Sequence, residues 1–148
     1  MSQKPASPDR PPEALRLDNQ LCFALYGAAN RVTRLYRPLL DALGLTYPQY
    51  LAMLVLWEAS PRTVGALGDA LDLDSSTLTP LLKRLETGGL VERRRDPEDE
   101  RRVIVALTDK GRALRDQAVT VPEKLLCALD MPLDAVGSLR ERLKTVAR

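Results

Sequence analysis

The sequence predicts a mostly α-helical fold that carries a small β hairpin. Two helix-patterned segments, Val64 to Leu71 and Leu78 to Glu86, flank a polar break. Two β-patterned runs follow, Leu90 to Arg94 and Arg102 to Leu107, and a charged tip joins them as a hairpin. Helix, turn, helix and hairpin in this order are typical of a winged helix-turn-helix, whose second helix enters the major groove of DNA. The alternative is a small α+β domain with a surface hairpin and no DNA partner.

Composition limits the classes of function. Of the 148 residues, 45% are hydrophobic but only 4% are aromatic, which favours a helical core of Leu, Val and Ala. The net charge is only +2, so DNA binding must depend on where the charges lie. The absence of histidine excludes Ser-His-Asp and Cys-His catalysis and any His-containing metal site. Two cysteines, Cys22 and Cys127, are too few for a structural zinc, so we expect no cofactor, metal or catalytic residue.

We expect four regions along the chain. Residues 1–15 should be a disordered tail, because the first twelve residues hold four prolines. Residues 16–45 are assigned to N-terminal dimerisation and sensing helices, 46–108 to the winged helix-turn-helix, and 109–148 to C-terminal dimerisation helices. Neither a signal peptide nor an apolar run of about 18 residues is found, so we expect no membrane partner and a cytoplasmic location.

The first region predicts a helix from Leu17 to Leu40 with one narrow apolar stripe. Asp18 is its expected N-cap, and Pro38 should kink or restart it. The stripe consists of apolar residues at alternating spacings of four and three: Leu21, Leu25, Ala28, Val32, Leu35 and Leu39.

A capping box, Thr46 with Gln49, predicts the start of the next helix. The segment from Tyr50 to Ala59 is apolar on nearly all sides, so this helix should be central and buried. Ser60 to Arg62 is interpreted as a turn, and Thr63 as the N-cap of the first helix of the winged module.

The chain after the hairpin predicts two more helices. Thr108 should cap a long helix that Pro122 bends, and a last helix should run from Leu133 to Val146 after a break at Asp130 to Pro132. Apolar stripes at both ends of the chain favour a homodimer; the alternative is that the stripes cover each other within one chain. The stripe of the long helix is Leu114, Ala118, Val121, Leu125 and Ala128.

The second helix of the module carries the predicted DNA contacts. Hydroxyl and basic groups suit phosphate oxygens and base edges, while the alternative limits them to capping and a solvated face. Pro80 indicates that this helix begins near Ser76 or Thr77, or bends at the proline. The predicted contact residues are Ser75, Ser76, Thr77, Thr79, Lys83 and Arg84.

The hairpin tip adds a second predicted contact, since Asp99 is placed to hold Arg101 extended towards a narrow minor groove. The segment Asp99 to Thr108 resembles the D-x-R…L-T wing signature of the MarR family of transcriptional regulators, and Leu78 to Glu86 resembles the family's recognition helix. The resemblance extends over nearly the whole chain from about Leu17. It implies an obligate dimer that binds a pseudo-palindromic, double-stranded operator, with Asp99 orienting Arg101.

Cys22 is the candidate sensing residue, because it lies at the start of the region that holds all six aromatic residues, between positions 23 and 57. At about 100° per residue, Tyr26 and Tyr36 fall within about 40° of Cys22 on a helix, yet Tyr36 is roughly 21 Å further along the axis. Tyr36 therefore reaches Cys22 only from a partner subunit. A tyrosine hydroxyl that donates to a thiolate stabilises the charged form, which a peroxide attacks. The alternative is that Cys22 is a small core residue.

The segment Leu21 to Tyr26, with Tyr36 and Tyr47, resembles the sensing site of the organic hydroperoxide regulators (OhrR type) within the MarR family. This implies that Cys22 is reactive and that Tyr36 and Tyr47 of the partner subunit stabilise its thiolate. Cys127 matches the second cysteine of the two-cysteine members. The resemblance therefore implies an intersubunit disulfide between Cys22 and Cys127.

Three functional hypotheses follow. The first is a repressor that binds operator DNA as a reduced dimer and is released when an organic hydroperoxide oxidises Cys22. The second is a repressor released by a reversibly bound phenolic ligand, with both cysteines inert. The third is a thiol peroxidase, which would have no need of the DNA module; we therefore predict that the protein is not an enzyme.

Overall fold

The computed structural model describes residues 11–147 of the chain, which divide into two compact units between Arg34 and Leu35. The predicted tail lies outside the described residues up to position 10, and Glu13–Leu15 and Leu17–Asn19 form short 3₁₀ helices. The helices are α1 (Leu21–Asp41), α2 (Tyr47–Glu58), α3 (Val64–Leu71), α4 (Ser75–Thr87), α5 (Asp109–Ala118), α6 (Val121–Leu129) and α7 (Leu133–Val146). The strands are β1 (Arg62–Thr63), β2 (Val91–Arg95) and β3 (Val103–Leu107).

For α1 the predicted N-cap is wrong, and so is the predicted restart at Pro38. The helix begins at Leu21, and Asp18 lies in a preceding 3₁₀ helix, so Asp18 is not the N-cap of α1. The helix also continues through Pro38 to Asp41 without restarting. Pro38 lies in the last turn, where the loss of one backbone N–H leaves most of the hydrogen-bond ladder intact.

Helix α2 forms the centre of the core, as its apolar sequence predicts. The Thr46 hydroxyl oxygen accepts from the Gln49 backbone N–H at 3.4 Å, and the Gln49 side-chain oxygen accepts from the Thr46 N–H at 2.9 Å, which confirms the capping box. The side chains of Tyr50, Met53 and Leu56 are at most 2% exposed. Among the described residues no helix combines the length and hydropathy that crossing a bilayer requires.

The sheet has the order β1-β3-β2, with both pairs antiparallel. The predicted hairpin is confirmed as β2 and β3, with Val91 opposite Leu107. The prediction of a turn from Ser60 to Arg62 is wrong at Arg62, which begins β1, because a strand of two residues is too short to show alternation. Ser60 still contributes to the sheet, since its hydroxyl oxygen accepts from the Leu107 N–H at 3.0 Å.

The predicted long helix after the hairpin is two helices. Thr108 caps α5 as expected, but α5 ends at Ala118 and α6 begins at Val121. Pro122 lies in the first turn of α6, where the missing N–H has no cost, so the predicted bend is a break. Helix α7 has the predicted bounds, after Asp130 in a left-handed conformation with φ 51°.

Gly111 lies where α5 meets the winged module. Its carbonyl accepts from the Trp57 indole N–H at 2.9 Å, and its N–H donates to the Thr108 hydroxyl at 3.0 Å. The Thr108 N–H in turn donates to the Leu90 carbonyl at 3.1 Å. A Cβ atom at position 111 would collide with that same Leu90 carbonyl oxygen. This close approach therefore requires glycine.

Gly111→Ala should lower the free energy of unfolding by about 2 kcal/mol or more, because the helix must move away from the hairpin base. Gly65→Ala in α3 is the matched control, since its added Cβ meets only the Thr63 hydroxyl at 3.9 Å. Urea unfolding followed by circular dichroism measures both. Equal stability of the two variants would show that the junction tolerates a side chain.

Candidate nucleic-acid interface and cysteine site

Helix α4 separates an apolar face from a polar one. Leu78, Leu82 and Leu85 are at most 1% exposed and fix the helix against the core. The opposite face is exposed and carries all the predicted contact residues of this helix: Ser75, Ser76, Thr77, Thr79, Lys83 and Arg84. Because four of these carry hydroxyls and two carry positive charges, the face suits a phosphate backbone and base edges.

Helix α4 begins at Ser75, slightly before the start near Ser76 or Thr77 that the position of Pro80 indicates. The earlier start follows from Asp74, which is a strong N-cap. The Asp74 carboxylate accepts from the Thr77 N–H and the Ser76 hydroxyl, both at 2.7 Å, and these bonds hold its pKa below the usual value. Pro80 lies inside the helix rather than in its first turn. The capping alternative thus accounts for the Ser76 hydroxyl, and Thr79 likewise donates to the Ser75 carbonyl at 2.7 Å.

The hairpin tip is organised by two aspartates. Asp96 is only 7% exposed, accepts from the Glu98 N–H at 2.9 Å and pairs with Arg102 at 2.8 Å. Asp99 accepts from the backbone N–H and the side-chain Nε of Arg101 at 3.1 and 3.2 Å, which lowers the pKa of its carboxyl group. The Arg101 side chain is 92% exposed, so the tip presents a held, solvent-facing guanidinium. Sequence reasoning found Asp99 and Arg101 but missed the Asp96–Arg102 pair.

A second ion pair missed from the sequence joins α4 to β2. The Glu86 carboxylate accepts from Arg93 Nε and Nη2 at 2.9 and 2.8 Å, and from the Arg93 backbone N–H at 3.1 Å. These bonds lower the pKa of Glu86. The two residues are separated by Gly88 and Gly89, so helical or strand periodicity could not place them together.

The tyrosines form a stacked group at the C-terminal end of α1 and the start of α2. The ring centroid of Tyr36 lies 4.8 Å from that of Tyr47 and 5.7 Å from that of Tyr50. Burial, with Tyr47 and Tyr50 beside it, raises the pKa of Tyr36 to about 12, and burial also raises the pKa of Tyr47. Both phenols are therefore neutral donors near pH 7, and no hydrogen bond within residues 11–147 involves either hydroxyl.

Both cysteines are exposed free thiols. Cys22 lies in the first turn of α1, so the alternative of a buried core cysteine is wrong for a single chain. Its neighbours are exposed apolar side chains, with Leu21 63% and Phe23 46% exposed. Cys127 lies in α6 and lines an open groove of about 830 Å³. The apolar lining of that groove includes Val119, Pro122, Leu126, Met131 and Leu133.

The tyrosine group makes stability depend on alkaline pH. The pKa of Tyr36 is raised to about 12 in the folded protein from an ordinary value of 10.0, so the unfolded chain loses this proton first. The contribution of Tyr36 to the free energy of unfolding is complete below about pH 10 and falls as the pH rises towards 12. Tyr36→Phe should therefore flatten the decline of the urea midpoint between about pH 10 and 12. Tyr26→Phe, which changes an exposed tyrosine, should leave the slope as in the wild type; equal slopes in all three proteins would contradict the assignment.

Comparison with known proteins confirms the resemblance seen in the sequence. The family model of the transcriptional regulators SarA/Rot matches residues 34–118. The organic hydroperoxide resistance transcriptional regulator of Bacillus subtilis (strain 168) is 52% identical over 132 residues, which cover 89% of this chain and 90% of the relative. The family match includes α2, the winged module and all of α5.

Two solved structures of AbfR, a protein of Staphylococcus epidermidis, share the fold. Reduced AbfR bound to DNA matches with a TM-score of 0.75 and 40% identity, covering 91% of this chain and 94% of AbfR. Disulfide-formed AbfR matches with a TM-score of 0.64 and 40% identity, covering 92% and 96%. The predicted winged helix-turn-helix is confirmed, and the regulator class excludes the peroxidase hypothesis. The chain belongs to the SarA/Rot family of MarR-like, DNA-binding transcriptional regulators.

Proposed function

We propose that this regulator is a redox-sensing repressor. It binds a pseudo-palindromic operator as a reduced homodimer in the cytoplasm, and an organic hydroperoxide releases it by oxidising Cys22. The observation that carries the proposal is that both cysteines of the chain are exposed free thiols beside large exposed apolar side chains. The names of two relatives support it: one is an organic hydroperoxide resistance regulator, and AbfR exists in reduced DNA-bound and disulfide forms.

The DNA contacts follow from the exposed face of α4 and the hairpin tip. The helix enters the major groove, and Asp99 holds Arg101 for the adjacent minor groove. Residues 16–45 and 109–148 form the dimer interface, which sets the distance between the two helices and hence between half-sites. The large exposed apolar side chains of α7, Leu133 and Leu139 among them, support this assignment.

Oxidation proceeds in two balanced steps. The Cys22 thiolate attacks the terminal oxygen of the hydroperoxide, the O–O bond breaks, and the alkoxide leaves as an alcohol after taking a proton. Cys22 is then a sulfenic acid. The Cys127 thiol of the partner subunit attacks that sulfur, an S–S bond forms, and the hydroxyl leaves as water.

The tyrosines prepare the first step. Tyr36 and Tyr47 of the partner subunit donate to the Cys22 thiolate, which stabilises the charged form. Their burial keeps both phenols protonated, and no hydrogen bond among the described residues competes for them. The apolar side chains around Cys22 favour an organic hydroperoxide over hydrogen peroxide, because they bind its hydrocarbon part.

A cavity of about 320 Å³ favours the second hypothesis, a reversibly bound phenolic ligand. Tyr50, Leu54 and Trp57 form its apolar wall, and Arg115 supplies a positive charge at its lining. The lining also carries the Glu58 carboxylate, so an aromatic molecule with a neutral phenol hydroxyl fits this combination of apolar wall and one charge of each sign. Release of DNA by such a ligand would be unaffected by replacement of either cysteine.

DNA binding measured with and without cumene hydroperoxide tests the proposal. With cumene hydroperoxide, the wild type should dissociate from a duplex selected from a random library. It should then run as a covalent dimer on a non-reducing gel. Cys22→Ser should bind DNA with wild-type affinity, ignore the peroxide and form no covalent dimer. Cys127→Ser should form a sulfenic acid that dimedone traps. Peroxide release of Cys22→Ser, or a covalent dimer of Cys127→Ser, would refute the two-cysteine scheme.

Arg101→Ala should weaken binding to the selected duplex roughly tenfold, since it removes a charged contact in each subunit. The dependence of affinity on salt should become shallower by about one for each lost contact. Arg62→Ala is the control, because Arg62 lies in β1, outside the proposed DNA contacts and the proposed dimer interface, and its side chain donates to the Ala59 carbonyl at 3.1 Å. Unchanged affinity and salt dependence of Arg101→Ala would remove the hairpin tip from the interface.

A further inference from the structure

We propose that Glu86 is a positioning residue that sets the angle of the β2–β3 hairpin relative to α4. Its carboxylate makes three hydrogen bonds, all to Arg93, one of them to the backbone N–H. The backbone bond fixes the path of β2, and the two guanidinium bonds fix the side chain across the gap. We name this contact the Glu86–Arg93 bridge. It holds the hairpin so that α4 and the tip reach DNA together.

The turn between the bridged residues is held at its base, where the Leu90 N–H donates to the Leu85 carbonyl at 3.0 Å and the Thr108 hydroxyl donates to the Gly89 carbonyl at 2.6 Å. Helix α4 ends at Thr87, and Gly88 and Gly89 follow, the second with φ 74°. The base of β2 is fixed by burial, since Leu90 and Val91 are 7% and 2% exposed. Beyond that base, and within residues 11–147, the bridge is the side-chain ion pair that joins β2 to α4.

The position of Arg93 in β2 extends the effect to the tip. Its neighbours Glu92, Arg94 and Arg95 are exposed, whereas Arg93 is half-buried, with 25% of its side chain accessible. Arg93 also lies opposite Val105 in β3, so fixing Arg93 fixes both strands. A shift in the angle at this pair is carried by the hairpin to Arg101.

Electrostatics and positioning predict opposite results for Glu86→Gln. If only electrostatics mattered, removal of a carboxylate near the DNA-facing side of α4 would strengthen binding to every duplex. Loss of the bridge instead frees the hairpin, so that helix and tip no longer fit one site together. Binding to the preferred duplex should then weaken while general attraction to DNA persists. The ratio of the two affinities separates these effects, because general electrostatics cancels in it.

The experiment uses the full chain and two probes, a duplex that the wild type selects from a random library and a scrambled duplex of the same composition. In Glu86→Gln the ratio of selected to scrambled affinity should fall about fivefold or more. Arg93→Gln should lower the ratio by a similar factor. The double variant should be no worse than either single one, since one interaction is lost only once.

Glu92→Gln is the matched control, because it removes the charge of an exposed glutamate one residue from Arg93. It should leave the ratio unchanged. Hydrogen exchange at the Arg93 amide should accelerate in Glu86→Gln and stay as in the wild type in Glu92→Gln. An unchanged ratio in Glu86→Gln, or an equal loss on both duplexes, would overturn the inference.

The inference rests on the proposed contacts of α4 and the hairpin with DNA. A wild type that selects no duplex from the library would instead refute that proposed function. The two failures are therefore distinguishable.

Discussion

Burial of the leucine face of α4 is the interaction on which the rest of the structure depends. Leu78, Leu82 and Leu85 are almost completely buried against the core that α2 and the sheet complete. Deep burial of three leucines contributes several kcal/mol and leaves the helix one rotational setting. That setting turns the hydroxyls and positive charges of the opposite face to solvent. The apolar residues of α4 thus determine where its polar ones can act.

The sequence predicted the elements whose signals are local. The capping box at Thr46 and the N-caps at Thr63 and Thr108 are confirmed in the structure, because each depends on hydrogen bonds within four residues. The hairpin was predicted from two apolar runs and a charged tip, and its strands lie within one residue of the expected bounds. Local hydrogen bonds and short-range pairing are properties that a linear sequence records directly.

The errors arose where proline position or long-range packing decides. Pro38 and Pro80 lie inside continuous helices, whereas Pro122 begins one. The residue is the same in each case, and its effect depends on how many helical turns surround it. Strand β1 exists because Arg62 pairs with Val105 in β3, more than forty residues away. No local sequence pattern encodes such a pairing. The tertiary contact, rather than local propensity, makes that segment a strand.

The candidate site was predictable in the same uneven way. Asp99 and Arg101 are two residues apart, so their ion pair could be expected from spacing alone. The Asp96–Arg102 and Glu86–Arg93 pairs join residues six and seven positions apart across a turn, and only the folded turn brings them together. Tyr36 and Tyr47 were singled out by their resemblance to a known site, and their stacking depends on how α1 meets α2. The sequence therefore indicates candidate residues, whereas the contacts between them depend on the fold.

These ion pairs explain how a chain with a net charge of only +2 can present a positive surface. From Lys83 to Arg102 the basic residues outnumber the acidic ones by one, so the total charge of the module is uninformative. The carboxylates of Glu86, Asp96 and Asp99 are engaged by arginines, and hydrogen bonds lower the pKa of Glu86 and Asp99, which keeps both ionised and held in place.

Lys83 and Arg84 are exposed, and no ion pair within residues 11–147 involves either of them. The acidic residues that organise the module are therefore paired within it. They leave the basic residues on its outer face available to bind an anion. A polyanion meets this local arrangement rather than the sum of the charges. Replacing one of the engaged carboxylates changes the geometry of the surface as well as its charge, which is why specificity, and not affinity alone, reports on it.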